Sequence, residues 1–160
     1  MGQVEGLDRL LQEHPFFAGM SEEMRQVLSG CASNERYDAG DYIFRESEPA
    51  DKFYLIRSGT VSVQIHVPGR DPIMLQTLHD GDIMGWSWLI PPYRWTYDVR
   101  ALQLTRLVSL DAVCLRAKCE ADHSLGYELM KRFLPVIADR LSAARLQMID
   151  MYGAPKERTR

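Results

Sequence analysis

The chain has 160 residues, 46% apolar and 26% charged, which suits one domain with a sizeable core, or one domain plus a long helix. A net charge of −3 argues against the broad basic surface of a nucleic-acid-binding domain. No stretch approaches the ~18 apolar residues of a membrane span, and no charged start followed by an apolar run marks a secretory signal. A cytoplasmic protein is therefore expected.

The chain opens with two short helices, Gly6–Glu13 and Ser21–Cys31. Ser21 followed by Glu22 and Glu23 suits a helix start, because a hydroxyl cap and early carboxylates satisfy free N–H groups. Between them, Pro15 ends the first helix and Phe16 and Phe17 anchor the turn.

From about Asn34 the apolar period shifts from 3.6 toward 2. Strands are predicted at 35–37, 42–45, 52–57, 60–67, 73–78, 82–84, 98–102 and 105–111. Turn residues separate them, among them Ala39-Gly40-Asp41, Ser58-Gly59, Pro68-Gly69-Arg70-Asp71 and His79-Asp80-Gly81. Val61, Val63 and Ile65 alternate with Ser62, Gln64 and His66, one set facing in and the other out. Eight short strands joined this way predict a mainly β fold with flanking helices: an eight-stranded antiparallel jelly roll, or double-stranded β-helix.

One loop of this roll carries the candidate site. Gly85 permits close backbone approach, and the short turn Trp86–Leu89 offers N–H donors without intrahelical partners. Ser87 and Thr96 add hydroxyls, and Arg94 adds a cationic fork on a loop stiffened by Pro91-Pro92. Trp86, Trp88 and Trp95, all the tryptophans of the chain, fall within ten residues. They either fill the roll or build a ligand pocket.

Asp111–Ala121 reads as a connecting helix, and His123 to about Tyr152 as one long helix that Pro135 should kink or break. Met130, Leu134, Ile137, Leu141, Ala144, Met148 and Met151 recur in steps of 4 and 3, a heptad seam flanked by Asp139, Arg140 and Arg145. Leu129, Phe133, Leu146 and Ile149 form a second apolar set. One set could lie against the roll and the other against a partner, which favours a parallel homodimer over a helix that only covers its own roll. Residues 1–152 thus form one domain, with helices in 6–31, the roll in 34–111 and helices in 111–151. Residues 153–160, with Lys156, Arg158 and Arg160, read as a flexible tail.

Three cysteines without a CxxC pair argue against a disulfide framework or a zinc site, so Cys31, Cys114 and Cys119 are expected as free thiols. His14, His66, His79 and His123 share no metal-ligand spacing. No acid–base or nucleophile–base pattern points to an enzyme.

Several segments resemble the cyclic-nucleotide-binding domain of the Crp/Fnr regulators. Asp38–Phe44 is similar to that family's G-D-x-I-F entry. Phe53–Val63, FYLIRSGTVSV, is similar to its F-Y-x-I-x-x-G-x-V-x-V hairpin. Gly81–Ala101, GDIMGWSWLIPPYRWTYDVRA, resembles its phosphate-binding cassette. Ser47 stands where the family has a turn glycine, which implies a slightly different turn and no loss of fold.

The cassette departs at its two main polar positions. The ribose-binding glutamate falls on Trp86. The phosphate-binding arginine falls on Trp95, with Arg94 one place early. The base-contacting positions of the long helix fall near Ala144 and Arg145 and lack hydroxyls, though Arg145 could bring a positive charge toward the pocket. Losing the glutamate forfeits ~1.5–3 kcal/mol of charge-assisted hydrogen bonding.

The resemblance implies a stand-alone small-molecule-sensing regulatory module with a divergent cassette. Its ligand could be a cyclic nucleotide or another small anionic or aromatic molecule, held by Gly85–Leu89, Arg94, Trp95, Thr96 and Arg145. Weak or no cAMP binding is expected, with an anion still held at the cassette backbone and Arg94 compensating for the lost arginine. The alternative is a ligand-free dimeric scaffold that uses the degenerate domain to dock a partner protein. The chain ends before the family's helix-turn-helix, so direct DNA binding is not expected.

Overall fold

A computed structural model of the chain describes residues 2–153, with side chains from Gly6 onward. Of the expected tail at 153–160, all but Gly153 lies outside the described residues. Helix α1 spans Gly2–Glu13, longer than predicted, and α2 spans Glu22–Ser29. The Ser21 hydroxyl caps α2 by accepting from Met24 N at 3.2 Å. Between the helices, Pro15–Phe17 forms a 3-10 turn that buries Phe17.

Eight strands follow among the described residues: β1 Ala32–Tyr37, β2 Tyr42–Phe44, β3 Lys52–Ser58, β4 Val61–Ile65, β5 Ile73–Leu78, β6 Ile83–Met84, β7 Asp98–Ala101 and β8 Thr105–Asp111. They pair antiparallel in two four-stranded sheets, ordered β1-β8-β3-β6 and β2-β7-β4-β5. This is the predicted jelly roll, with each predicted strand present to within a few residues.

One expectation about the strands changes. Ser62 and Gln64 do not face water; both are buried, and Gln64 Nε2 donates to Ser62 Oγ at 3.0 Å. Strand β4 lies between β7 and β5, and cross-strand neighbours on both sides, Arg100 and Thr77 beside Ser62 and Asp98 and Met74 beside Gln64, flank these short polar side chains, so the alternation marks chemistry rather than exposure. Ser47, in the glycine position, keeps the fold intact by adopting a left-handed φ of 73°, the conformation a glycine takes at little cost.

Helix α3, Ala112–Ala121, is capped by Asp111, whose Oδ1 accepts from Cys114 N at 2.7 Å. Helix α4 runs unbroken over His123–Tyr152 with Pro135 inside it. The expected break does not occur, because Leu125, Leu129 and Phe133 before the proline and Ile137 and Arg140 after it hold the helix to the roll. Phe133 meets Phe53, Trp88 and Phe16 at ring separations of 4.8, 5.5 and 5.2 Å, the aromatic centre of the core.

The cysteine expectation is overturned. Cys31 and Cys114 form a disulfide, with Cα atoms 5.9 Å apart, and only Cys119 is free among the described residues. Pairing of β1 with β8 places Ala32 opposite Leu110, and Asp111 N donates to Cys31 O at 2.9 Å. The end of α2 thereby meets the first turn of α3, a proximity that spacing along the chain does not reveal.

His14 is buried, with Nδ1 accepting from Phe16 N and Nε2 facing Ile56 O at 3.2 Å. Burial lowers its pKa below 6.5, against the pull of the Ile56 carbonyl and of Asp82. The unfolded chain therefore binds the proton more readily. The stability contributed by neutral His14 is full above pH 6.5 and declines as the pH falls toward the lowered folded pKa. Urea unfolding at pH 7.5 and 5.5 should show this loss, and His14→Gln should flatten it.

Candidate ligand-binding site

Strand β6 leads into the cassette through the pair Tyr54–Met84. Gly85 follows with φ +82°, and then a 3-10 turn, Ser87–Leu89. Leu89 N donates to Trp86 O at 3.0 Å and Ile90 N to Ser87 O at 3.3 Å, closing the turn. The Pro91-Pro92 bond is cis.

The return segment is then caught by the β2–β3 turn. Ser47 N donates to Trp95 O at 2.9 Å, Trp95 N to Glu48 O at 3.0 Å, and Ala50 N to Tyr93 O at 2.7 Å. Neighbouring side chains in an extended segment point to opposite faces. Trp95 therefore turns inward and Arg94 outward. Trp95 is 4% exposed and stacks on Phe44 with ring centroids 3.8 Å apart and planes 12° from parallel. A β-carbon at residue 85 would run into the Trp95 ring, so glycine is needed here to admit the indole.

The other predicted site residues divide. Arg94 is exposed and donates from Nη1 to Ser47 O at 2.8 Å; Thr96 is exposed beside it. Trp88 is fully buried in the aromatic core, stacked on Phe53 at 5.8 Å. Ser87 is buried, Leu89 half-buried, and Arg145 exposed on α4. Trp86 is half-buried, with its ring edge-on to Tyr97 at 6.0 Å and the Arg140 guanidinium 5.4 Å from its centroid. The structure thus gathers Gly85, Trp95 and Phe44 inside the cassette and leaves Arg94, Thr96 and Arg145 outside.

Two arginines missed as site residues hold this region. Arg116 of α3 donates to Trp88 O at 2.6 Å and covers the Tyr93 ring at 4.1 Å, tying the cassette to the helix after the roll. Arg140 of α4 donates to Ile83 O and is only 9% exposed. Burial strips its hydration and lowers its pKa to about 10, while Asp82, Asp139 and Tyr97 pull in the other direction. A signal for Arg140 was present in the sequence. It continues the helical stripe Leu125, Leu129, Phe133 that faces the roll.

A cleft of about 710 Å³ opens between α4, the Pro15–Phe17 turn and the β5–β6 region, and Arg140 lines it. None of residues 85–96 lines that cleft. Among the described residues, no group of three or more His, Cys, Asp or Glu could hold a metal ion. No helix among them is long and apolar enough to cross a membrane.

The cyclic nucleotide-binding domain family matches residues 34–122. A CRP-like cAMP-activated global transcriptional regulator of Mycobacterium tuberculosis is 26% identical over 145 residues, 91% of this chain and 63% of its own length. A cGMP-dependent protein kinase of Caenorhabditis elegans is 31% identical over 80 residues, 49% of this chain and 10% of its own length. The chain thus spans only part of the curated relatives it matches. A solved structure from Geobacter metallireducens, put forward as a cyclic nucleotide-binding protein, superposes with a TM-score of 0.74 at 27% identity, covering 84% of this chain and 97% of that one. With more than half its length matched, the chain belongs to the cyclic nucleotide-binding domain family.

Proposed function

We propose that this member of the cyclic nucleotide-binding domain family is a sensing module whose cassette does not take cAMP or cGMP with ordinary affinity, and which dimerises along α4. The family match supports a regulatory role. The observation that carries the finer reading is the Trp95 ring, stacked on Phe44 and lying against Gly85. A ligand phosphate seated there would have to displace a packed indole and would meet no arginine, since Arg94 is held outside by Ser47 O. Charge-assisted bidentate contacts are the strong ones in phosphate recognition, and this cassette lacks the side chain that would make them.

The same ring favours the second reading, a ligand-free scaffold, because a filled cassette needs no small molecule to be stable. The readings separate on response: a sensor melts higher with its ligand, by mass action, and a scaffold does not. The reading keeps the module in the cytoplasm, where reductants act on the Cys31–Cys114 bond.

Isothermal calorimetry with cAMP and with cGMP tests the cassette. Neither should give a constant at or below the micromolar range. A micromolar or tighter constant for the unaltered protein would show that Trp95 yields to the nucleotide and would overturn the proposal.

A further inference from the structure

We infer that the cleft between α4 and the Pro15–Phe17 turn is a binding site for a singly charged organic carboxylate with an apolar body, seated on Arg140. The site takes in Gly81, Asp82 and Ile83 at the start of the cassette but none of residues 85–96, on which the proposed function rests, so the two can be tested separately.

Arg140 is the reason. A guanidinium that is 9% exposed has lost most of its water, and burying a charge is costly unless it is paired and hydrogen-bonded. Its compensation is incomplete. One Nη donates to Ile83 O, while Nε is sealed from solvent without a partner. Among the described residues, no carboxylate lies within ion-pairing distance of it. The other cations of the cleft are engaged. Lys131 pairs with Glu128 at 3.1 Å, and Arg132 pairs with Glu128 and donates to Ala18 O at 2.9 Å. Gln76 donates from Nε2 to Asp139 at 3.1 Å, and its unpartnered Oε1 is an acceptor that a carboxylate cannot fill, so Arg140 alone seats the charge.

The surroundings set the ligand class. The volume of about 710 Å³ lies within the range of small-molecule sites. Phe16, Leu78, Ile83 and Val136 present apolar walls to a hydrocarbon or aryl body. Asp82 and Asp139 also line the cleft, and both act on the charge of Arg140. They would repel a diphosphate or other multiply charged anion, while a single carboxylate would bring one charge to the one incompletely compensated cation. Because the guanidinium also lies 5.4 Å from the Trp86 ring centroid, drawing it toward a carboxylate alters the surroundings of Trp86. Occupancy would thus be visible at the edge of the cassette.

The experiment compares octanoate with octanol, which share a chain and differ in charge, by calorimetry and tryptophan fluorescence on the full chain. Octanoate should bind and change the fluorescence, with octanol weaker by about tenfold or more, as expected for loss of a hydrogen-bonded charge. Arg140→Met should weaken octanoate by a similar factor. Val136→Trp, on the cleft wall, keeps Arg140 in place and should also abolish binding by occupying the space. Equal affinity for octanoate and octanol would overturn the inference, as would octanoate binding unchanged by Val136→Trp, or no octanoate binding at millimolar concentration.

Discussion

Leu141→Asp is expected to convert the protein from a dimer to a monomer. The long helix carries apolar side chains it does not bury against its own roll. Met130, Leu134, Leu141, Met148 and Met151 all lie exposed, with Leu141 at 71%, while Ile137 packs against the core and Ala144 is half-buried. Leu146 and Ile149 are exposed as well, so of the second apolar set only Leu129 and Phe133 face the roll. A stripe of this kind marks an interaction surface, and its heptad spacing fits a second copy of the same helix. Removing a buried leucine costs about 2–5 kcal/mol, and a two-fold interface contains the position twice. The dissociation constant should therefore rise about a thousandfold or more. The exposure of Leu141 in the single chain means that the fold itself should be little affected. Light scattering decides: the unaltered protein should be dimeric at high micromolar concentration and the variant monomeric. A monomer in both cases, or a dimer in both, would sink the α4 interface.

The roll was legible in the sequence because its information is local. Turn residues such as Gly40, Gly59 and Gly81 adopt positive φ where the strand pattern breaks, and each strand carries its own period. The α4 stripes were legible for the same reason. What escaped was information that arises only when distant segments meet. A charged residue on a helix ordinarily reads as solvated, so Arg140 reads as a flank of the seam, although it falls in line with Leu125, Leu129 and Phe133. Which of Arg94 and Trp95 points inward depends on backbone hydrogen bonds with Ser47, Glu48 and Ala50, more than 40 residues earlier. Local chemistry suggested the arginine; register assigned the indole.

The cysteines failed for the same reason, and they carry the second large effect. Cleaving the Cys31–Cys114 bond is expected to lower stability by about 2–4 kcal/mol. The two residues are 83 apart in sequence, and chain entropy alone for a loop of that length gives about 4.5 kcal/mol at room temperature. Residual structure in the unfolded chain makes the measured loss smaller. The loss should be felt first at α3. The bond ties the start of α3 to the end of α2, and α3 holds the cassette through Arg116, Trp88 O and the Tyr93 ring. Cys119 should not interfere at neutral pH. Burial, with Glu120 and Asp122 nearby, raises its pKa, so little of it is the thiolate that attacks disulfides. Cys119→Ser removes it altogether and makes the measurement clean. In that background, urea unfolding with and without reductant should differ by the stated amount, and a Cys31→Ser, Cys114→Ser double variant should match the reduced protein and ignore the reductant. An unchanged midpoint on reduction would mean that β1–β8 pairing alone holds these helices together and that the bond adds nothing to stability.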